Sequence, residues 1–126
     1  MVDEGRRRSM REYQKRRAVV RREHGLVSRT TWLRKEDADA FKAAIAPFTA
    51  HARIVEAVIG SVTVEPVEII ELINKYALPY DPEDIIFMTR FMEAMLLKPK
   101  EQAETRRRAE DIIRRYGFHV TVDDLL

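Results

Sequence analysis

Nine basic side chains lie close together near the start of the chain, and their chemistry is that of phosphate binding. Arg and Lys neutralise phosphate oxygens and donate hydrogen bonds to them. All nine fall within residues 6–23, at a spacing compatible with a helix that Gly25 could end. They are Arg6, Arg7, Arg8, Arg11, Lys15, Arg16, Arg17, Arg21 and Arg22. The pattern predicts a helical basic arm that contacts a polyanion through several turns.

The positive and negative charges are segregated along the 126 residues. Residues 1–35 carry twelve Lys or Arg against four Asp or Glu, while residues 36–126 carry eleven against seventeen, so the net charge is only +2. A basic arm before an acidic body is typical of a protein that meets nucleic acid. The other interpretations of the basic arm are a solvated tail and a segment that binds an acidic protein. A membrane-surface helix would need a larger apolar face.

Other chemistry has little support in the sequence. His24, His51 and His119 are far apart, without the i, i+4 spacing of a helical metal site. The absence of cysteine excludes disulfides and thiolate sites. The sequence contains neither a glycine-rich phosphate loop nor a nucleophile elbow. We therefore expect no enzyme, catalytic residue, metal or cofactor.

The sequence also bears on the cellular compartment. The first residues lack the apolar core of a signal peptide, and the longest apolar run, Met92 to Leu97, is broken by Glu93 and too short to cross a bilayer. A chain without cysteine is compatible with a reducing compartment. The expectation is a cytoplasmic protein with no membrane partner.

Residues 28–34 are rich in Thr and contain the only Trp, a composition that favours a short strand. Alternation puts Trp32 and Leu33 on opposite faces, and the sequence leaves open which of them packs inward. A Trp beside a helix is more often buried, which favours Trp32 inward; with Leu33 inward instead, Thr30, Trp32 and Arg34 would be the outward side chains. With Trp32 inward, the side chains that could contact DNA bases are Arg29, Thr31 and the flanking Arg34.

Two helices are predicted after this strand. The first covers residues 36–46 and stops at Pro47, and the second is capped by Thr49 and ends at Gly60. Both have apolar residues at helical spacing. The core that they share is expected to contain Phe41 and Ile54.

The order strand, helix, turn, helix over residues 28–60 resembles the ribbon-helix-helix (MetJ/Arc-like) family of DNA-binding dimers. The resemblance implies an intertwined homodimer whose paired strands enter the major groove of double-stranded DNA. Pairing with a second copy would also satisfy the open strand edges and bury the small helices. The implied fold is mainly α, with a short N-terminal strand, a ribbon-helix-helix-like dimer core and a C-terminal helical extension.

The remaining chain is predicted to be mostly helical. The segment over residues 82–97 is apolar over more than half its circumference, which favours a core or an interface. Three further helices are expected to begin at Pro66, at Asp81 with Pro82, and at Pro99. Helices are predicted over residues 66–77, 82–97 and 99–116. Residues 62–64 are expected to be either a short strand or a linker, and residues 118–122 a short strand.

These elements divide the chain into a basic arm at 1–27, a DNA-binding and dimerisation unit at 28–60, and a helical region at 61–126. The predicted function is a small sequence-specific DNA-binding protein, of the repressor, antitoxin or plasmid partition and mobilisation type. Residues 66–122 would supply dimer contacts or bind a protein partner. The alternative is a helical adaptor that docks on a larger assembly through helix 82–97.

Overall fold

The computed structural model describes residues 4–126, and in this part of the chain all regular structure is helical. The α-helices are α1 (Glu4–Glu23), α2 (Ala38–Val58), α3 (Pro66–Tyr76), α4 (Pro82–Thr89), α5 (Phe91–Leu97) and α6 (Gln102–Tyr116). Short 3-10 turns cover Lys35–Asp37, Pro99–Glu101 and Asp123–Leu125. Because residues 4–126 contain no strand, the prediction of an N-terminal strand and a ribbon-helix-helix-like core is wrong.

Residues 26–34 form an irregular connector between α1 and α2 instead of the expected strand. The amides of residues 27–33 donate no hydrogen bond to any described residue. Trp32 is fully exposed, so the favoured register, with Trp32 packed inward, is absent. A strand is stabilised by pairing with a neighbour and by burial of one face. Neither is available to the connector within residues 4–126, and β-propensity alone does not replace them.

Helix α2 continues through Pro47, where the sequence predicted a stop. Proline has a φ angle suited to a helix but lacks the N–H that would bond the carbonyl four residues earlier. Most of α2 before Ala50 is exposed, so water can solvate the freed carbonyl of Ala43. The two helices predicted over residues 36–60 are therefore one.

The core is one hydrophobic cluster with side chains from α2 to the C-terminal segment. Helix α2 contributes only its second half: Ile54 is fully buried, whereas Phe41, which is expected in a core shared between two copies, is 37% exposed in the single chain. Burial of each large aliphatic or aromatic side chain contributes about 1.5–3 kcal/mol. The largest fully buried side chains are Ile54, Val58, Ile69, Ile85, Phe91 and Ile112.

The helix predicted over residues 82–97 is divided at Arg90, which has φ −112° and ψ 12°. Thr89 Oγ1 donates to the carbonyl of Ile86 at 2.8 Å, a local bond that competes with helix continuation. Met88 of α4 and Phe91 of α5 both reach the core. The segment is therefore mainly core of its own chain.

Several helix ends follow the sequence signals. Asp81 caps α4 by accepting a hydrogen bond from the amide of Glu83 at 3.0 Å, and Gly117 ends α6 with φ +70°. Helix α3 begins at Pro66 as predicted. The segments 62–64 and 118–122 are irregular rather than strands. They nevertheless bury Val64, Phe118, Val120 and Val122.

Candidate nucleic-acid interface

Helix α1 carries the predicted basic arm. Most of its residues are Arg, Lys, Glu, Gln, Met or Ala, which favour helix, and no proline interrupts it. Gly25 ends it with φ +87°, and the amide of Leu26 bonds back to the carbonyl of Arg21 at 2.9 Å. A bond from the residue after the glycine to the carbonyl five residues earlier is typical of the Schellman motif, which ends many helices. The chain therefore leaves α1 in a defined direction.

The last two turns of α1 are fixed to the rest of the molecule. Arg21 Nη2 lies 3.0 Å from Glu56 Oε2, and Arg17 Nη2 donates to the carbonyl of Ser61 at 3.3 Å. His24 Nδ1 donates to the carbonyl of His119 at 2.7 Å. Because a carbonyl only accepts, Nδ1 carries a proton in this contact. These contacts attach α1 to the end of α2 and to the C-terminal segment.

Arg17 and Arg21 are thus anchors, although the sequence placed them with the phosphate-binding cations. The Nε atoms of both are buried without a hydrogen-bond partner in residues 4–126. Burying an unpaired donor has a free-energy cost, which the guanidinium contacts to Ser61 and Glu56 offset in part. Sequence reasoning missed these partners, because Glu56 lies 35 residues from Arg21.

The first half of α1, residues 5–16, is exposed on every side. None of its cations has an acidic partner among the described residues, and the same is true of Arg22 beyond it. Its six exposed cations are Arg6, Arg7, Arg8, Arg11, Lys15 and Arg16. Residues 5–16 therefore carry six cations against one acidic residue, Glu12.

The cations lie on two sides of α1. At about 100° per residue, Arg8, Arg11 and Lys15 form one stripe. Arg6 points to the opposite side, and Arg16 lies about 110° around the helix from the stripe. The first stripe, with Arg7 and Glu12, lines a shallow surface cleft of about 370 Å³. Helix α1 can therefore present positive charge in two directions at once.

The three residues predicted to contact bases lie in the connector, not on a strand. Arg29 and Thr31 are exposed and make no hydrogen bond or ion pair within residues 4–126. Arg34 is occupied, since its Nε and Nη2 donate to the two carboxylate oxygens of Asp37 at 2.8 and 3.1 Å. The alternation that a strand would impose on these side chains is absent.

A separate polar cluster joins α2, α4 and α6. His51 bonds the hydroxyl of Tyr80, and Tyr116 donates its hydroxyl proton to Asp84 Oδ2 at 2.8 Å. Arg115 Nη1 lies 3.1 Å from the same oxygen. Burial raises the pKa of Tyr80 above its ordinary value, so this hydroxyl stays neutral and serves as a hydrogen-bonding group. The cluster connects the helices through these hydrogen bonds and the ion pair of Arg115 with Asp84.

Two searches of the described residues complete the survey. No group of three or more His, Asp or Glu in residues 4–126 is placed to hold a metal ion. In the same range, no helix combines the length and apolar character needed to cross a bilayer. Comparison with known proteins found no matching family model, curated protein or solved structure.

Proposed function

We propose that the chain binds nucleic acid, with the first half of α1 lying along the phosphates of a duplex. The observation that carries this proposal is the set of six exposed cations on residues 5–16, unpaired within the described chain. Cations held together on one helix repel each other, and a polyanion relieves that repulsion. Binding also releases counterions from the nucleic acid, which is the main source of affinity in such contacts.

The dimensions of α1 support a duplex as the ligand. An α-helix with its side chains is about 10–12 Å across, and the major groove of B-form DNA is about 12 Å wide. Phosphates line both walls of this groove, and the cations of α1 lie on two sides of the helix. The anchors at Arg17, Arg21 and His24 fix the direction of α1 before binding, which reduces the entropy lost on association.

The test is a titration of the full chain into a labelled random-sequence DNA duplex, followed by fluorescence anisotropy at several salt concentrations. In the test variant, the exposed stripe is neutralised by Arg8→Gln, Arg11→Gln and Lys15→Gln. Each lost phosphate contact should lower the slope of log K against log salt by about 0.9. Affinity should fall together with the slope.

A matched control removes three exposed cations from outside α1, by Arg90→Gln, Lys100→Gln and Arg107→Gln. Both triple variants change the net charge equally, so only the position of the lost charges differs. We expect the control to keep most of the parent's affinity and slope. Equal losses in both variants would mean that overall charge, not α1, governs binding. No binding by the parent at low salt would reject the nucleic-acid function.

We also propose that two copies of the chain associate through the first half of α2. Phe41, Ile45 and Phe48 lie on one face at four- and three-residue spacing, and Phe48 is 75% exposed. A half-helix of this length is marginal in water without packing. Residues 38–49 contain one Asp and one Lys, so two copies can approach antiparallel without net repulsion. The same stripe on a second copy would cover the apolar face.

The adaptor function is the second proposal, and a different surface favours it. Met92, Leu96 and Leu97 of α5 are all at least half exposed, although the opposite side of the helix is core. This patch lies within the region expected to bind a protein partner, residues 66–122. Absence of nucleic-acid binding, together with a lysate protein whose capture requires Leu96 and Leu97, would favour the adaptor.

A further inference from the structure

The connector between α1 and α2 carries the chain's only Trp in an unusual setting. Trp32 is fully exposed, which is rare for so large an apolar side chain. Leu33 beside it is 43% exposed, and Val27 earlier in the connector is 73% exposed. Because Trp32 makes no packing contact, its position contributes little to the stability of the fold. The indole is free to pack against a ligand.

The charges around Trp32 favour nucleic acid as that ligand. From residue 24 to residue 35 the sequence contains no Asp or Glu. The connector includes Arg29, which is exposed and unpaired within the described chain, and it follows directly on the basic helix α1. An aromatic side chain between cations is the usual arrangement for stacking bases while the backbone phosphates are held.

We propose that Trp32 stacks on an unpaired nucleobase, so that the ligand is a duplex that continues into a single strand. This inference rests on the proposed function, because α1 would hold the duplex part. The faces of paired bases inside a duplex are covered by their neighbours, whereas an unpaired base offers a free face to the indole. The amides of residues 27–33 have no hydrogen bond among the described residues, so the connector can adjust to the base.

The experiment uses Trp32 as its own reporter. Since it is the only Trp, selectively excited Trp fluorescence of the full chain reports on this residue alone. The probes are a blunt DNA duplex, the same duplex with a single-stranded overhang, and the single strand, each labelled for a parallel anisotropy measurement. We expect quenching with the overhang duplex and the single strand, and little with the blunt duplex.

Substitutions then test the energetic role of the indole. Trp32→Ala should weaken binding of the overhang duplex by roughly 5- to 150-fold, the range for losing one stacked base. Trp32→Phe keeps an aromatic face and should lose less. The affinity for the blunt duplex should be the same for the parent, Trp32→Ala and Trp32→Phe. Val67→Ala, which truncates an exposed apolar side chain on α3, is the matched control and should not weaken binding.

The outcomes separate this inference from the proposed function. The parent could bind in the anisotropy measurement without any change in Trp fluorescence, and Trp32→Ala could bind as tightly as the parent. That result would overturn the stacking role and leave the role of α1 intact. Equal quenching by the blunt duplex would overturn the preference for an unpaired base. Quenching by an acidic peptide, without any response to nucleic acid, would reject both proposals in favour of a protein partner.

Discussion

At the scale of single residues, the surroundings decide what a side chain does. Arg21 and Arg22 are adjacent in sequence and chemically identical. Arg21 faces Glu56 and holds α1 in place, whereas Arg22 is exposed and has no acidic partner in residues 4–126. A count of positive charges treats the two alike. Only the packing of α1 on α2 assigns one to the fold and leaves the other available for a ligand.

The positions of Ile54 and Phe41 lead to different effects of truncation. Ile54 is fully buried, so Ile54→Ala should lower the free energy of unfolding by about 2–5 kcal/mol through lost burial and a cavity. Phe41→Ala should cost much less in dilute protein, because Phe41 is 37% exposed. Urea unfolding of both variants and the parent, at one low protein concentration, measures the two losses of stability. Equal losses would mean that the face of α2 at Phe41 is covered in solution.

Gly25 and Gly60 allow a similar comparison for backbone conformation. Both have positive φ, at +87° and +77°, so alanine costs about 1–2 kcal/mol at either position. At Gly25 the added Cβ would also lie 2.5 Å from Cδ2 of His119, whereas at Gly60 it would meet nothing within 4 Å. We expect urea unfolding to show a larger loss of stability for Gly25→Ala than for Gly60→Ala. Equal losses would show that the ring of His119 moves aside.

At the scale of helices, one ion pair ties α2 to α3. Arg53 Nε lies 2.7 Å from Glu68 Oε1, and Arg53 Nη2 lies 3.2 Å from Oε2, a two-point contact. The hydrogen bond from Arg53 lowers the pKa of Glu68 below its ordinary value. Both side chains are partly exposed, so the stabilisation is modest.

This pair makes a small part of the stability depend on pH. A carboxyl whose pKa is lower in the folded chain contributes stability above its unfolded pKa and loses it as the pH falls through the folded pKa. We therefore expect Glu68→Gln to be slightly less stable than the parent at neutral pH and equally stable in acid, below both pKa values. Urea unfolding over a pH series measures the difference. If the difference in stability between Glu68→Gln and the parent persists unchanged in acid, its cause is packing and not the charge of Glu68.

Prediction from the sequence succeeded for most local signals, with the stop expected at Pro47 as an exception, and failed where a distant partner decides. The start of α3 at Pro66, the cap at Asp81 and the stop at Gly117 depend on neighbouring residues, and all three are present. The strand expected over residues 28–34 needed a pairing partner, which local propensity cannot supply. In the candidate interface, the exposed stripe on α1 follows from sequence spacing. The anchoring role of Arg21 does not, because Glu56 comes from another helix.

At the scale of the whole molecule, the described chain has a packed body and two projecting half-helices. The body holds the hydrophobic cluster, and the projections are residues 5–16 of α1 and residues 38–49 of α2. One projection is basic, and the other carries an apolar stripe. The proposed functions follow this division, with nucleic acid on the first and a second copy on the second.

The proposed pairing of α2 stripes predicts a mass that depends on concentration. Light scattering of the parent should approach twice the chain mass of 14.8 kDa as the protein concentration rises. Phe48→Ser should remain at the monomer mass, because it removes the most exposed apolar side chain of the stripe. Leu97→Ser, on the exposed patch of α5, is the control and should behave like the parent. A parent that stays monomeric at high concentration would reject the dimer.

Pro47 marks a boundary of motion as well as of packing. The missing hydrogen bond at Pro47 separates the part of α2 that the core holds from the part that extends into solvent. The turns before Pro47 can then unwind and re-form without opening the body. Amide protons of residues 41–46 should exchange with solvent much faster than those of residues 54–58. The part of the pairing surface that holds Phe41 and Ile45 would then fold and unfold on its own, so association would include local folding of these turns.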